Sequence, residues 1–262
     1  MKLLEWTLPA PEANLAADEA LLDWCEARAE TGCTEEYLRF WMPDRPFVVV
    51  GYGQQVEREV DLAACRRLGI PVLRRCSGGG TVLQAPGCLN YTLILRIDPA
   101  GPTRSVPTTN RYILERHRTA LTALLGRNSP PVQLQGETDL TLGGRKFSGN
   151  AQRRRRHCLL FHGTFLLQIP LDLMTAVLKM PSRQPDYRQG RSHADFLTTL
   201  PLTAEAVRQA LVHIWSAHQT GTPPPADAIA HLIQTRYSQP DWIFRTTAPV
   251  PTTPAEIPPA PG

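Results

Sequence analysis

The side chains best suited to chemistry in this 262-residue chain fall in two short stretches. The first is Arg74-Arg75-Cys76-Ser77-Gly78-Gly79-Gly80. Consecutive glycines let backbone N–H groups approach a ligand with no side chain in between. Paired arginines at the loop entrance add fixed positive charge suited to a carboxylate or phosphate. The pattern predicts an anionic small molecule as guest, and a Gly-rich hairpin turn is the competing reading. The second stretch, residues 143–164, contains Gly-Gly-Arg-Lys-Phe-Ser-Gly-Asn-Ala, four arginines at 153–156, and His162-Gly163-Thr164. Lys146 on a strand can neutralise charge developing on a phosphate or acyl oxygen, or it is a solvated hairpin lysine. Ser148, Gly149 and Asn150 are also ordinary turn residues.

The remaining candidates read more plainly. The arginine run is expected in an exposed loop, with a mobile lid or a contact for an acidic partner as the functional versions. His162 is a general base or a histidine satisfied by its neighbours. Asp139, one carboxylate on a strand before Lys146, is thin support for a divalent cation. Cys76, beside the glycines, is a candidate reactive thiol, and Cys158 is a second, less orthodox one. No Walker A motif, kinase signature or G-x-S-x-G elbow occurs, and nothing in the spacing supports a serine triad.

These residues need a scaffold. A helix is predicted over 14–28 with Asn14 as N-cap, strands over 37–41, 47–50, 72–75 and 89–97, and helices over 60–68 and 110–125. Strands follow at 139–142, 145–147 and 159–167, with Gly143-Gly144 as a hairpin signal. Helices at 207–218 and 226–235 come next, and from Thr246 a Pro, Thr and Ala-rich tail reads as disordered. Helices flank the strands without alternating one for one, so the fold class expected is α+β with mixed β-sheets. The chain is expected to divide into a main domain over 1–203 that carries the candidate residues, a short helical segment over 204–245 and the tail over 246–262.

Bulk composition narrows the class. Hydrophobic content of 42% with 20% charged residues is ordinary for a soluble globular chain. A net charge of +4 is too small to argue for nucleic acid. No apolar run approaches the roughly 20 residues needed to cross a bilayer, and Glu5 interrupts any signal-peptide core, so a cytoplasmic protein with no membrane partner is expected. Six cysteines without a C-x-x-C pair are expected to be free thiols.

The Arg-Arg-x-Ser-Gly-Gly-Gly loop combined with Gly-Arg-Lys-x-Ser-Gly-Asn-Ala resembles the lipoate–protein ligase A family, within the wider biotin/lipoate protein ligase and octanoyltransferase fold. Matching pieces run in family order: 14–22, 74–90, 139–151 and 162–164. The resemblance implies that Arg75, Ser77, Gly78, Gly79, Gly80 and Asn90 lie against the acyl chain and adenylate. It implies that Lys146 contacts the activated carboxylate and α-phosphate, with Asp139 near phosphate and Mg²⁺. Ser148, Gly149, Asn150 and Ala151 would line the nucleotide side, and His162, Gly163 and Thr164 a neighbouring strand. ATP and Mg²⁺, with lipoate or octanoate as substrate, and an acidic lipoyl carrier domain as acceptor are implied with it.

Two departures stand out. Gln84-Ala85 replaces the family's His-Asp, and no large accessory domain follows residue 203, so a separate accessory subunit or the chain's own C-terminal helices would take that place. Cysteine-dependent octanoyl transfer is the rival, but residues 130–137, where such relatives carry a thiol, contain none and no cysteine follows Cys158. A non-catalytic acyl-binding relative is the third reading. Biotin is disfavoured because the Gly-Arg-Gly-Arg-type loop is missing.

Overall fold

The computed structural model describes residues 1–168 and 170–245, so the tail expected from Thr246 lies outside the described residues. The chain runs through Lys2–Glu5 (β1), Pro11–Glu30 (α1), Tyr37–Trp41 (β2), Phe47–Val50 (β3), Val56–Glu59 (α2), Leu62–Arg67 (α3), Val72–Arg74 (β4), Val82–Gln84 (β5) and Cys88–Arg96 (β6). It continues through Val106–Leu125 (α4), Val132–Gln135 (β7), Asp139–Leu142 (β8), Arg145–Arg154 (β9), Cys158–Leu166 (β10), Leu171–Val177 (α5) and His193–Phe196 (α6). Ala204–Ile214 (α7), Gln219–Thr220 (β11), Ala226–Leu232 (α8) and Pro240–Ile243 (α9) close it. An eight-stranded sheet has the order β11-β1-β2-β6-β10-β9-β8-β7, and β4-β3-β5 form a second, three-stranded sheet. Both sheets mix parallel and antiparallel pairs, which is the α+β class expected.

Period-two alternation on β6 and β10 decides what each face of the large sheet carries. Leu89, Tyr91, Leu93 and Leu95 of β6 join Leu159, Phe161 and Phe165 of β10 in one core with Ile113, Leu114 and Leu121 of α4 and Val207 and Leu211 of α7. On the opposite face Ile94 and Leu160 pack under Leu21, Leu22 and Cys25 of α1. Further along that face the same alternation presents Asn90, Thr92, His162 and Thr164, which are polar. Here Asp18 of α1 reaches His162, and Gln84 of the small sheet bonds Asn90 and Thr164, so the small sheet stands over this part of the face. Val48 and Val50 pack towards Val60, Met174 and Phe196, while Phe47, Val49 and Leu73 pack towards α1 and the C-terminal helices.

Three expectations are corrected. Helix α1 starts at Pro11, and Asn14 is buried inside it instead of capping it. Its side chain bonds back to the Leu8 N–H and to the Leu8 and Ala10 carbonyls, which serves the entering chain much as a cap would. Helix α4 begins at Val106, four residues earlier than the apolar period indicated, because Ser105 and Thr108 form a capping box. Ser148-Gly149-Asn150 is no turn. Strand β9 runs through it, paired to β8 on one side and β10 on the other.

Candidate active site

Where the small sheet stands over the polar face, the chain encloses a cleft of about 1150 Å³. One wall is apolar, with Leu15, Trp41, Val49, Val82, Leu83, Leu166, Met174, Leu178, Phe196 and Leu197. The floor carries Asn90, Asp139, Lys146, Gly149, Asn150, Ala151, His162, Gly163 and Thr164, and Arg75 with Gly78, Gly79 and Gly80 forms the rim. Thirteen of the fifteen candidates named from the sequence therefore meet in one cleft; Ser77 and Ser148 lie just behind its surface, both fully buried.

The glycine loop is not a hairpin turn. It leaves β4 and re-enters at β5, and both strands pair with β3, one parallel and one antiparallel. Of the three glycines only Gly79 has a left-handed backbone, at φ +83°. The two arginines also differ from expectation, because both turn inward. Arg74 is fully buried and donates to the carbonyls of Gly51, Tyr52, Gln54, Trp242 and Ile243. Arg75 donates to the Gly78 carbonyl at 2.6 Å and the Gly80 carbonyl at 2.8 Å, and from Nε to Ser77 Oγ at 3.1 Å. Burial pulls Arg75 down to about 10, still charged at neutral pH. A tight loop leaves carbonyls pointing inward, and a planar fork of donors satisfies several at once. These arginines shape the loop first.

Lys146 reaches the cleft through an irregularity. In the pairing of β8 with β9, Leu140 faces Ser148 but Thr141 faces Lys146, so β9 carries one extra residue, Phe147. Strict alternation would put Lys146 and Gly149 on opposite faces; the bulge resets the pleat and puts them on the same one. The Lys146 Nζ lies 2.8 Å from Asp139 Oδ1, and Tyr187 donates to Asp139 Oδ2 at 2.7 Å. Burial and the Asp139 charge push the Tyr187 phenol up, so it remains a donor. Gly149 makes room for the amine: a Cβ there would sit 2.7 Å from Lys146 Nζ and 2.8 Å from its Cε. Gly149→Ala is expected to displace the flexible lysine tip and cut turnover by about 10²-fold. A thermal melt close to wild type beside the activity assay checks that the lysine, not the fold, has moved.

Magnesium finds no ready cage here. Asp139 is the one carboxylate beside Lys146 and both of its oxygens are engaged. Among the described residues no group of three or more His, Cys, Asp or Glu side chains could hold a metal ion. The residues present do not make a resident metal site, and Asp139 acts as the counter-ion that positions Lys146.

His162 is joined to a buried chain of polar groups. Its Nε2 lies 2.5 Å from Ser77 Oγ and its Nδ1 3.3 Å from Asp18 Oδ2, while Arg39 donates to Asp18 Oδ1 at 2.5 Å. A serine, a histidine and an aspartate thus line up although nothing in their sequence spacing supported it. Ser77 is sealed from the cleft, so the chain reads as scaffolding of the loop, not as a nucleophile triad. Burial works against the Asp18 charge, but Arg39 and His162 outweigh it and hold its carboxyl below the usual range. Gln84 exchanges amide bonds with Asn90 at 2.9 Å and donates to Thr164 Oγ1 at 2.8 Å. Asn150 accepts from the Tyr91 hydroxyl and donates to the Thr138 carbonyl, tying β9 to the loop before β8.

The arginine run is not an exposed loop. Arg153 stacks over Tyr52, Arg154 bonds the Thr103 carbonyl, and Arg155 pairs with Asp23; Arg156 alone of the four is exposed. Cys76 is buried, and burial, reinforced by Glu19, pushes its thiol up to about 12. No cysteine lines the cleft. Burial also raises Cys25 to about 12, and Cys88 and Cys158 to about 11. Sequence reasoning missed Asp18, Arg39, Gln84 and Tyr187 as site residues. Asp18 stands inside the 14–22 stretch already singled out, whereas Tyr187 belongs to residues 178–197, which cross the cleft and carry no motif.

Comparisons with known proteins agree with this fold. Residues 10–214 match the Lipoyl protein ligase A/B catalytic domain. The chain is 27% identical over 266 residues to octanoyltransferase LipM of Geobacillus kaustophilus, covering 90% of this chain and 94% of that protein. A crystal structure of lipoate-protein ligase A bound with ATP superposes with a TM-score of 0.75 at 26% identity, covering 94% of this chain and 99% of that one. The bipartite lipoate protein ligase of Thermoplasma acidophilum, studied with its E2 lipoyl domain, gives 0.75 at 25% identity, covering 94% and 97%.

Proposed function

Because the chain belongs to the lipoyl protein ligase A/B catalytic family, with both ligases and octanoyltransferases among its relatives, we propose that it is a lipoate–protein ligase. The observation that carries this reading is the cleft itself: the Lys146 ammonium and the bare backbone of Gly78–80 open onto one shared cleft that also has an apolar lining. A medium-chain acid, lipoate or octanoate, lies with its chain along Trp41, Val49, Leu83 and Met174. Its carboxylate attacks the α-phosphorus of ATP, the bond to the bridging oxygen breaks, and pyrophosphate leaves. Lys146 offsets the negative charge gathering at the phosphate and carboxylate oxygens. The N–H groups of the glycine loop, held by Arg75, orient the carboxyl end. In the second half, the ε-amine of a lysine on a lipoyl carrier domain attacks the acyl carbon, AMP departs, and the amine gives up a proton to solvent. Residues 178–197 and the apolar wall keep water from the mixed anhydride. ATP arrives as its magnesium complex, a substrate whose metal the phosphates hold.

Octanoyl transfer without ATP is the second reading, favoured by the LipM relatives. It requires a thiolate at the acyl carbon. The loop Gln135–Thr138 does enter the cleft but carries Gln, Gly, Glu and Thr. The buried thiols, held far above neutral pH, make poor nucleophiles. Purified protein incubated with MgATP, octanoate or lipoate and a lipoyl domain is expected to release pyrophosphate and add one acyl mass to the acceptor. ATP-independent transfer from an octanoyl carrier, with no pyrophosphate, would overturn the ligase assignment. Cys76→Ala and Cys158→Ala proteins are expected to keep the ATP-dependent activity, measured in the same assay; loss in either would revive the thioester route. Adding a candidate accessory subunit to the mixture tests whether a second chain is needed.

A further inference from the structure

The family domain ends at residue 214, yet the arginine that opens the glycine loop takes part of its bonding from beyond that point. After β11, helix α8 and the turn ending at Tyr237 return along α1, where Tyr237 donates to Glu19 at 2.7 Å. Helix α9 then sets its C-terminal carbonyls, those of Trp242 and Ile243, 3.0 and 2.9 Å from Arg74 Nε. The indole of Trp242 answers by donating to the Arg74 carbonyl at 3.0 Å. This is a reciprocal clasp, and the guanidinium extends it to the Gly51, Tyr52 and Gln54 carbonyls.

Those carbonyls belong to a loop that interlocks with the glycine loop. Tyr52 N–H donates to the Ser77 carbonyl at 2.8 Å, and a Cβ on Gly51 would fall 2.0 Å from the Gly79 carbonyl oxygen. Gly53 and Gln54 line the cleft. Side chains add to the contact: the Trp242 and Tyr52 rings lie 5.7 Å apart, and the Arg245 guanidinium lies 4.1 Å from the centre of the Tyr52 ring.

We propose that residues 226–245 are a positioning element for the glycine loop, acting through the Trp242–Arg74 clasp. Its kinetic consequence rests on the ligase reading; its structural one does not. Arg74→Lys replaces a fork that reaches both the helix end and the 51–54 loop with a point charge that cannot. Trp242→Leu removes the indole donor while keeping an apolar side chain. In both, amide exchange over 51–54 and 77–80 is expected to quicken while the central strands β6 and β10 keep their protection. Turnover is expected to fall by about 10²-fold through misplaced loop amides. Unchanged exchange in those two loops in both variants would overturn the clasp, and so would faster exchange spread evenly over the sheet. If the wild-type protein released no pyrophosphate even with an accessory subunit added, the ligase reading would fail, and loop exchange would still judge the clasp.

Discussion

Lys146→Met is expected to lower acid-dependent pyrophosphate release by about 10²–10³-fold, the usual cost of removing one preorganised charge aimed at a developing oxyanion. Methionine keeps the length and apolar stem of lysine and removes only the ammonium. The fold should survive, because the lysine head is partly open to the cleft and Asp139 retains its bond from Tyr187. Measuring pyrophosphate release alongside a thermal melt separates the two effects. Release close to the wild-type rate, in a protein that melts normally, would remove Lys146 from the chemistry. Transfer from a preformed acyl-adenylate, supplied separately, is expected to suffer less, since the phosphate charge is by then already built.

Asp18→Asn carries the largest expected stability effect. Arg39 and Asp18 are both essentially shut off from solvent. Neutralising the carboxylate leaves the guanidinium charge buried with only neutral acceptors: the Asn14 side chain and the Trp6 and Asn14 carbonyls. Breaking a buried pair in this way costs about 3–5 kcal/mol, and for a chain of this size each kcal/mol lowers Tm by about 2–4 °C. Removing both charges, in Asp18→Asn with Arg39→Met, is expected to recover much of the loss. The pH dependence follows from the lowered Asp18 pKa. Its stabilising contribution is present in full above the ordinary aspartate range of about 3.9 and disappears as pH falls through the lower folded value. The wild-type melt should therefore fall more steeply on the acid side than that of the Asp18→Asn protein, in which Glu35 still contributes an acid limb. Identical acid limbs in the two would contradict the assignment.

Much of the site was legible before any coordinates. Local chemistry explains why: a run of glycines, an adjoining Ser, and a Lys beside a glycine pair are unusual enough together to mark a family, and thirteen of the marked residues line one cleft. The β-branched and aromatic content of 89–97 also foretold a strand, and 159–167 read as another; the structure has them at Cys88–Arg96 and Cys158–Leu166. Errors clustered where a residue's role depends on partners far along the chain. Arg74 and Arg75 looked like anion receptors until the Trp242 and Ile243 carbonyls, about 170 positions away, were seen to bind the first. The arginine run looked solvated until α1 supplied Asp23 to Arg155 and Tyr52 stacked against Arg153.

The amino-acid sequence alone marked the family, the glycine loop, Lys146 as the candidate amine, and the lack of a cysteine in residues 130–137. Each is a matter of residue type and local spacing. Tertiary structure alone decided that the amine opens onto the cleft that the glycine loop also lines, because that rests on a one-residue bulge at Phe147, and a bulge is a property of two paired strands. It alone decided that Asp18, Arg39 and His162 stand behind Ser77, since helix α1, strand β2 and strand β10 meet there only after the sheet has closed over them. Hydrogen bonds between distant segments leave no period and no motif, so they could be found only in the folded chain.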